Sequence, residues 1–252
     1  MIHILTNSEI ILRVQARPQE SRLNDPAATG LLHLKLKKAL TAEIYDEQQR
    51  YLTTAAIAAY VSLNQLDRQR RFRASVEVVS LTSSSFNLAG QSSSSGLGFA
   101  LALFQSWWTQ ALNKQSSFTA PIFATGEIVN AGHIKAIGFI EEKLNAVASY
   151  VSANKTDFEH FYVCYPAQNE DEIPEPLKLK LASLGGELIA ANRLQELLSR
   201  LLGKSYDGEP LGRWEPFKGL KSFDYEDGVR FFGRDIEILR LKNDIVENQG
   251  IL

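Results

Sequence analysis

The stretch Gln91-Ser92-Ser93-Ser94-Ser95-Gly96-Leu97-Gly98 passes from a serine-rich loop directly into an apolar segment. A serine at such a point lies among backbone N–H groups that have no intrahelical partner, at the positive end of the helix dipole. It can stabilise an oxyanion or bind a phosphate, although a flexible loop with a capping serine is the ordinary alternative. The apolar residues that follow recur at helical spacing and predict a helix: Leu97, Leu101, Phe104, Trp108 and Leu112.

A lysine further along the chain also occupies an unusual position. Lys143 lies in a predicted helix over residues 140–152, three residues after Ile140 and four before Val147. This spacing places it on or beside the apolar face of the helix. A lysine held against apolar surface has a lowered pKa and can act as a general base. The common alternative is a surface lysine that extends its amine to solvent.

Strands and helices are mixed along the chain, which predicts an α/β or α+β domain. A hairpin is predicted around Asn130-Ala131-Gly132, and Asn192 is predicted to cap the helix that follows it. The predicted strands cover residues 10–14, 31–36, 76–79, 122–129, 133–137, 161–165 and 187–191, and the predicted helices cover 41–63, 97–112, 140–152 and 193–202.

Composition excludes several classes of function. The 252 residues carry a formal net charge of −2, which gives no long-range attraction for nucleic acid or an anionic membrane. A single cysteine, Cys164, excludes an internal disulfide framework and a multi-cysteine metal site, and we expect it in a core strand. The N-terminus lacks the features of a signal peptide, and the apolar stretches are too short to span a bilayer. We therefore expect a cytoplasmic protein.

The serine loop and the lysine belong to one ordered set of motifs. Ser-x-Gly opens a helix, and Thr125-Gly126-Glu127-Ile128, a glycine turn, Ile137-Gly138 and Glu142-Lys143-Leu144 follow in that order. Together with the Tyr165-Pro166 to Ile173-Pro174 stretch, this order resembles the proteolytic domain of Lon proteases, the Ser-Lys peptidases. The resemblance is strong over residues 76–202 and weak before them. It implies the ribosomal-protein-S5-domain-2-like fold.

The same resemblance implies a role for each matching residue. Ser94 would be the nucleophile and Lys143 the base of a serine endopeptidase that cleaves a protein substrate. Thr125 would orient the lysine amine, and Glu127 would belong to the surrounding network. The oxyanion or substrate loop would contain Ser93, Ser95 and Gly96. No metal and no cofactor are implied for this chain.

Two departures from the family pattern leave alternatives open. The family has Asp-Gly-Pro before the nucleophile, where this chain has Gln91-Ser92-Ser93, and Phe139 replaces the second glycine of its Ile-Gly-Gly turn. The four consecutive serines also allow the register to differ by one residue. A catalytically impaired Lon-like module that senses or binds a partner is one alternative. A domain similar to small-molecule kinases of the galactokinase–mevalonate kinase group, with the serines as a phosphate loop, is another.

The last part of the chain differs in composition and predicts a separate segment. We divide the chain into a Lon-like domain over 1–202, a linker over 203–215 and a further module over 216–252. The element Phe231-Phe232-Gly233-Arg234-Asp235 resembles the segment that precedes the nucleotide-binding domain of STAND-type NTPases. This implies a peptidase effector that an NTPase controls, as in bacterial signalling and defence. ATP would bind only to that downstream domain, through which the protein could form a homo-oligomer.

Overall fold

A mixed β-sheet with helices on both faces organises the part of the chain that the computed structural model describes, namely residues 1–5, 11–19, 32–37, 52, 54–63, 66, 73–80, 93–106, 108, 118 and 120–206. The strands are β1 (Ile2–Leu5), β2 (Ile11–Gln19), β3 (Leu32–Lys37), β4 (Arg73–Ser80), β5 (Ile122–Ala124), β6 (Glu127–Val129), β7 (His133–Lys135), β8 (Phe161–Pro166) and β9 (Gly186–Ala191). The helices are α1 (residues 54–63), α2 (Gly96–Ser106), α3 (Ile140–Ala153), α4 (Glu175–Ser183) and α5 (Leu194–Leu202).

The main sheet has seven strands in the order β3-β4-β2-β1-β5-β8-β9. β1, β5, β8 and β9 are parallel to one another, whereas β2 is antiparallel to both β1 and β4. β6 and β7 form a separate two-stranded hairpin. The prediction of a mixed α/β domain is confirmed.

Alternating side chains divide the sheet into two apolar faces, as the period of a strand requires. Ile4, Ala124 and Cys164 pack on one face, in the same cluster as residues of α2 and α5. Leu5 and Phe123 pack on the other face with residues of α3 and α4. The domain therefore has three layers, with helices on both sides of the sheet. The expected core position of Cys164 is confirmed.

The connections between parallel strands place several helix N-termini at one edge of the sheet. β5 and β8 are parallel neighbours joined through α3, so α3 runs back across the sheet in the opposite direction. The same relation holds for α4 between β8 and β9. α2 connects β4 to β5, which also point the same way. The N-termini of α2 and α3 therefore lie at the carboxyl edge of the parallel strands, the usual place for a functional site in such sheets.

Three local predictions differ from the structure. The predicted strand over 122–129 is two strands, β5 and β6, which belong to different sheets. Arg193, not Asn192, is the N-cap of α5. The Asn192 backbone N–H donates a hydrogen bond to Glu196 Oε2 in the first turn of that helix, at 3.3 Å. α4 and β1 were not predicted. α4 alternates Leu177, Leu179 and Leu181, which has the period of a strand, yet its helix buries only the first and last of them.

The chain turns back onto the core directly after α5. Gly203 ends α5 in the left-handed conformation, with φ 63°, that glycine adopts readily. The turn brings Tyr206 back onto the core, where its ring lies 5.2 Å from that of Phe104. Tyr206 also packs near Trp108, which is buried. The rest of the predicted linker and the module over 216–252 lie outside the described residues.

None of the helices in the described ranges is long and apolar enough to cross a bilayer.

A buried histidine makes the stability of this fold depend on pH. His3 is 1% exposed, stacks on Phe123 with ring centroids 4.6 Å apart, and has no hydrogen-bond partner at Nδ1 among the described residues. Burial lowers the pKa of His3 from 6.5 to about 4, so the folded protein holds it neutral. Its contribution to stability is complete above pH 6.5 and is lost as the pH falls towards 4, because the unfolded chain binds the proton first.

We expect the His3→Phe variant to resist acid better than the wild-type protein. Between pH 7.5 and pH 5, the wild-type free energy of unfolding should fall by about 2 kcal/mol more than that of the variant. Urea unfolding of both proteins at the two pH values measures this difference. Equal losses in the two proteins would show that His3 is already protonated, or is exposed, in the folded state.

Candidate active site

The serine loop ends in a short 3₁₀ turn, Ser93–Ser95, that leads into α2. Ser94 is buried, with 6% of its surface exposed, and Ser95 is fully buried. Gly96 allows this arrangement, because a Cβ atom there would lie 3.0 Å from the backbone nitrogen of Ile128. The backbone at the start of α2 thus lies so close to strand β6 that a side chain at residue 96 would crowd it.

Gly126, in the break between β5 and β6, connects the start of α2 to the sheet. The Gly126 N–H donates to the carbonyl oxygen of Ser94 at 2.7 Å, and the Leu97 N–H donates to the carbonyl oxygen of Gly126 at 2.9 Å. Gly126 cannot carry a side chain without crowding, since its Cβ atom would lie 2.9 Å from Ile134 Cγ2. Two of the motifs that the sequence analysis singled out are therefore in direct contact.

Thr125 joins three parallel strands at their carboxyl ends. Its side chain is fully buried, and its hydroxyl donates to the Leu5 carbonyl oxygen at the end of β1, at 3.1 Å. Its backbone N–H donates to the Cys164 carbonyl oxygen on β8 at 3.0 Å. Glu127, two residues later, is half-buried on β6 and stands opposite Lys135 in the hairpin.

Lys143 is buried on the inner face of α3, as its spacing predicts. It is 3% exposed and lies next to Leu144 in the sequence, one turn after Ile140, both of which are buried in the core. Burial lowers its pKa from 10.5 to about 8, and the neighbouring charge of Glu142 opposes that shift. About a tenth of this amine is therefore neutral at pH 7, and about half at pH 8, in the state that can accept a proton.

The fold brings Ser94 and Lys143 to the same edge of the sheet from opposite faces. α2 packs on the face that contains Ile4, and α3 packs on the face that contains Leu5. Both helices begin at the carboxyl edge of β5, where Thr125 follows the strand. A serine hydroxyl, a lysine of lowered pKa and helix N-terminal amides are groups that acyl transfer uses.

Asn169 holds the segment that precedes α3, a role that the sequence analysis did not assign. This asparagine is fully buried in the turn after β8. Its Oδ1 accepts the Ile137 N–H at 3.0 Å, and its Nδ2 donates to the Ile137 carbonyl oxygen at 2.9 Å and to Glu172 Oε1 at 3.0 Å. In addition, the Ala136 N–H donates a hydrogen bond to Gln168 Oε1 at 2.8 Å. The sequence signal was the Tyr165-Pro166 to Ile173-Pro174 stretch, which contains Asn169 but does not indicate its partners.

Phe139 occupies the N-cap position of α3 in a left-handed conformation, with φ 60° and ψ 39°. This conformation costs a residue with a Cβ atom roughly 1–2 kcal/mol relative to a right-handed one. The side chain is 72% exposed. Its carbonyl oxygen accepts the N–H of Lys143 at 3.1 Å, in the first turn of the helix.

The described residues contain no group of three His, Cys, Asp or Glu side chains that could hold a metal ion. No protein-family model matches the chain, and no curated protein matches it. The assignment of the site therefore depends on the residues and on their arrangement in the fold.

We expect Asn169→Ala to destabilise the domain through the segment before α3. The substitution leaves both backbone groups of Ile137 without their partner, which should lower the free energy of unfolding by about 2–4 kcal/mol. Gln168→Ala is the matched control, because it removes one bond from an exposed side chain and should cost less than about 1 kcal/mol. Urea unfolding measures both. Equal effects of the two substitutions would contradict a specific role for Asn169.

Proposed function

We propose that this chain is a serine endopeptidase with a Ser94–Lys143 dyad on a Lon-like, ribosomal-protein-S5-domain-2-like fold. The burial of Lys143 is the observation that carries the proposal. A lysine that is 3% exposed, with its pKa lowered to about 8, costs the fold stability, and such lysines are concentrated at functional sites. It lies in the first turn of α3, a helix that begins at the sheet edge to which the serine turn is bound.

The proposed reaction needs only groups of this chain and one water molecule. The neutral Lys143 amine takes the proton of the Ser94 hydroxyl, whose oxygen attacks the scissile carbonyl carbon. Backbone N–H groups at the start of α2 stabilise the oxyanion. The Lys143 ammonium then gives its proton to the leaving amine, and the peptide bond breaks to leave an acyl-enzyme on Ser94. Lys143 next activates a water molecule that hydrolyses this ester and restores Ser94.

The hydrogen bond of Thr125 agrees with the role proposed for it. Because its hydroxyl hydrogen points to the Leu5 carbonyl oxygen, the hydroxyl can serve a nearby group only as an acceptor. An acceptor is what orients a lysine amine, since the ammonium form has only donors. In the proposal, Thr125 receives a hydrogen bond from Lys143, and half-buried Glu127 contributes negative charge at the rim.

The biological setting is part of the same proposal. We infer that the peptidase is the effector of a longer cytoplasmic signalling or defence protein, in which a STAND-type NTPase controls cleavage of a specific protein substrate. This inference depends on the resemblance of residues 216–252. Binding of ATP belongs to the NTPase and not to the peptidase domain.

The burial of Ser94 favours a second candidate function, a Lon-like interaction module without turnover. The hydroxyl of Ser94, a residue that is only 6% exposed, must become accessible before it can attack a substrate. In an active enzyme, this requires a rearrangement of the serine turn by substrate or by the NTPase. In the second candidate, the turn is only a structural contact.

We expect Ser94→Ala and Lys143→Ala each to reduce cleavage of fluorescein-labelled β-casein by the NTPase-activated full-length protein at least about 10³-fold. Ser183→Ala and Lys155→Ala are the matched controls, because both side chains are exposed, and they should retain activity. Circular dichroism verifies that all four variants fold. If both dyad variants cleave as fast as the wild type, the dyad is wrong; if the wild type itself does not cleave, the interaction module is favoured.

We expect the rate to follow the protonation of Lys143. Since the base must be neutral, kcat/KM should rise with pH below about 8 and level off above it. Glu142→Gln removes the charge that raises the pKa of Lys143, so the rising limb should move to lower pH. Glu159→Gln, an exposed control, should leave the profile unchanged. A profile that falls between pH 6 and 8 would contradict lysine as the base.

A further inference from the structure

One exposed aromatic residue beside the dyad lysine has no explanation in the stability of the fold. Within the described ranges, Phe139 and Ala131 are the non-glycine residues with positive φ. Ala131 lies in the tight turn between β6 and β7, where the chain must reverse. Phe139 instead begins α3, where glycine would adopt the same conformation without strain.

The backbone around Phe139 is fixed from both sides. Before it, Asn169 and Gln168 bind the backbone of Ile137 and Ala136 through three hydrogen bonds. After it, its own carbonyl oxygen accepts the N–H of Lys143. The strained conformation is therefore imposed by the surrounding structure, and it fixes the backbone from which the ring projects, one helical turn before Lys143.

The ring is directed to solvent, where it contributes little to the core. With 72% of its surface exposed, Phe139 buries far less apolar area than the fully buried Phe123 or Phe161. A residue that is strained, exposed and large lowers the stability of the free protein. Such residues concentrate at sites that bind ligands, because binding removes the exposed apolar surface from water.

We propose that Phe139 determines specificity, by packing against an apolar side chain of the polypeptide that enters the site, next to the bond to be cleaved. The proposal rests on the proposed peptidase function, because that function brings the scissile bond of the polypeptide to Ser94. An apolar partner follows from the phenyl ring, which gains free energy by removing a second apolar surface from water.

Binding to a catalytically inactive protein tests this proposal without any need for cleavage. In the Ser94→Ala background, fluorescein-labelled β-casein is titrated with the full chain, and the fluorescence anisotropy gives Kd. We expect Phe139→Gly to raise Kd about tenfold and Phe139→Leu to preserve it. Leu179→Ala is the matched control, because Leu179 is also apolar and 63% exposed but lies on α4. It should leave Kd unchanged.

A stability measurement separates a binding role from a structural one. Phe139→Gly should raise the urea midpoint of unfolding, whereas Phe139→Ala, which keeps the Cβ atom, should not. A protein that is more stable yet binds β-casein more weakly is the expected combination. Three results would each overturn the proposal. They are an unchanged Kd in the Phe139→Gly variant, an equal loss of affinity in the Leu179→Ala variant, and no binding of β-casein at all.

Cleavage products separate this inference from the proposed function. When the wild-type protein digests a mixture of peptides of known sequence, apolar residues should be enriched at one fixed position relative to the cleaved bond. Phe139→Gly should lose that enrichment and Phe139→Leu should keep it. No cleavage by the wild type, with binding that still depends on Phe139, would reject the peptidase and retain the binding role. Cleavage by all variants with the same enrichment would support the peptidase and reject the role of Phe139 in specificity.

Discussion

Two backbone hydrogen bonds around Gly126 connect the main parts of the candidate site. They join its N–H to the Ser94 carbonyl oxygen and its carbonyl oxygen to the Leu97 N–H. They exist because the chain leaves the main sheet after β5, which frees the groups of Gly126 from strand pairing. Residues 96 and 126 must be glycine, because a Cβ atom at either position would crowd another segment of the chain. The position of the serine turn therefore depends on this strand break.

The lysine of the site is positioned by a second, independent set of contacts. The buried amide of Asn169 binds the segment before α3, and that segment sets where the helix begins. Burial of Lys143 then lowers its pKa, because the charged amine loses water that the apolar core does not replace. Both Lys143 and the strained Phe139 thus occur on a segment whose backbone is tightly held. In our proposals, this rigidity serves catalysis and substrate selection, at a cost in stability.

The sequence predicted elements with a clear period and missed those without one. α3 was predictable because Ile140, Leu144 and Val147 repeat at helical spacing, and the same spacing predicted that Lys143 is buried. The split between β5 and β6 was not, since a run of apolar residues does not reveal that its halves pair with different partners. The part played by Asn169 was also hidden, because its partner Ile137 is 32 residues away in the sequence.

The sequence by itself determined the α/β class, the burial of Lys143 and the position of the serine turn at a helix start, because spacing and capping are local properties of the chain. Only the tertiary structure decided that these features share one edge of the sheet, since that depends on strand order and on parallel crossovers. It also decided that Phe139 is both strained and exposed. Contacts between distant segments set the backbone angles and the solvent exposure of that residue, and no local pattern encodes them.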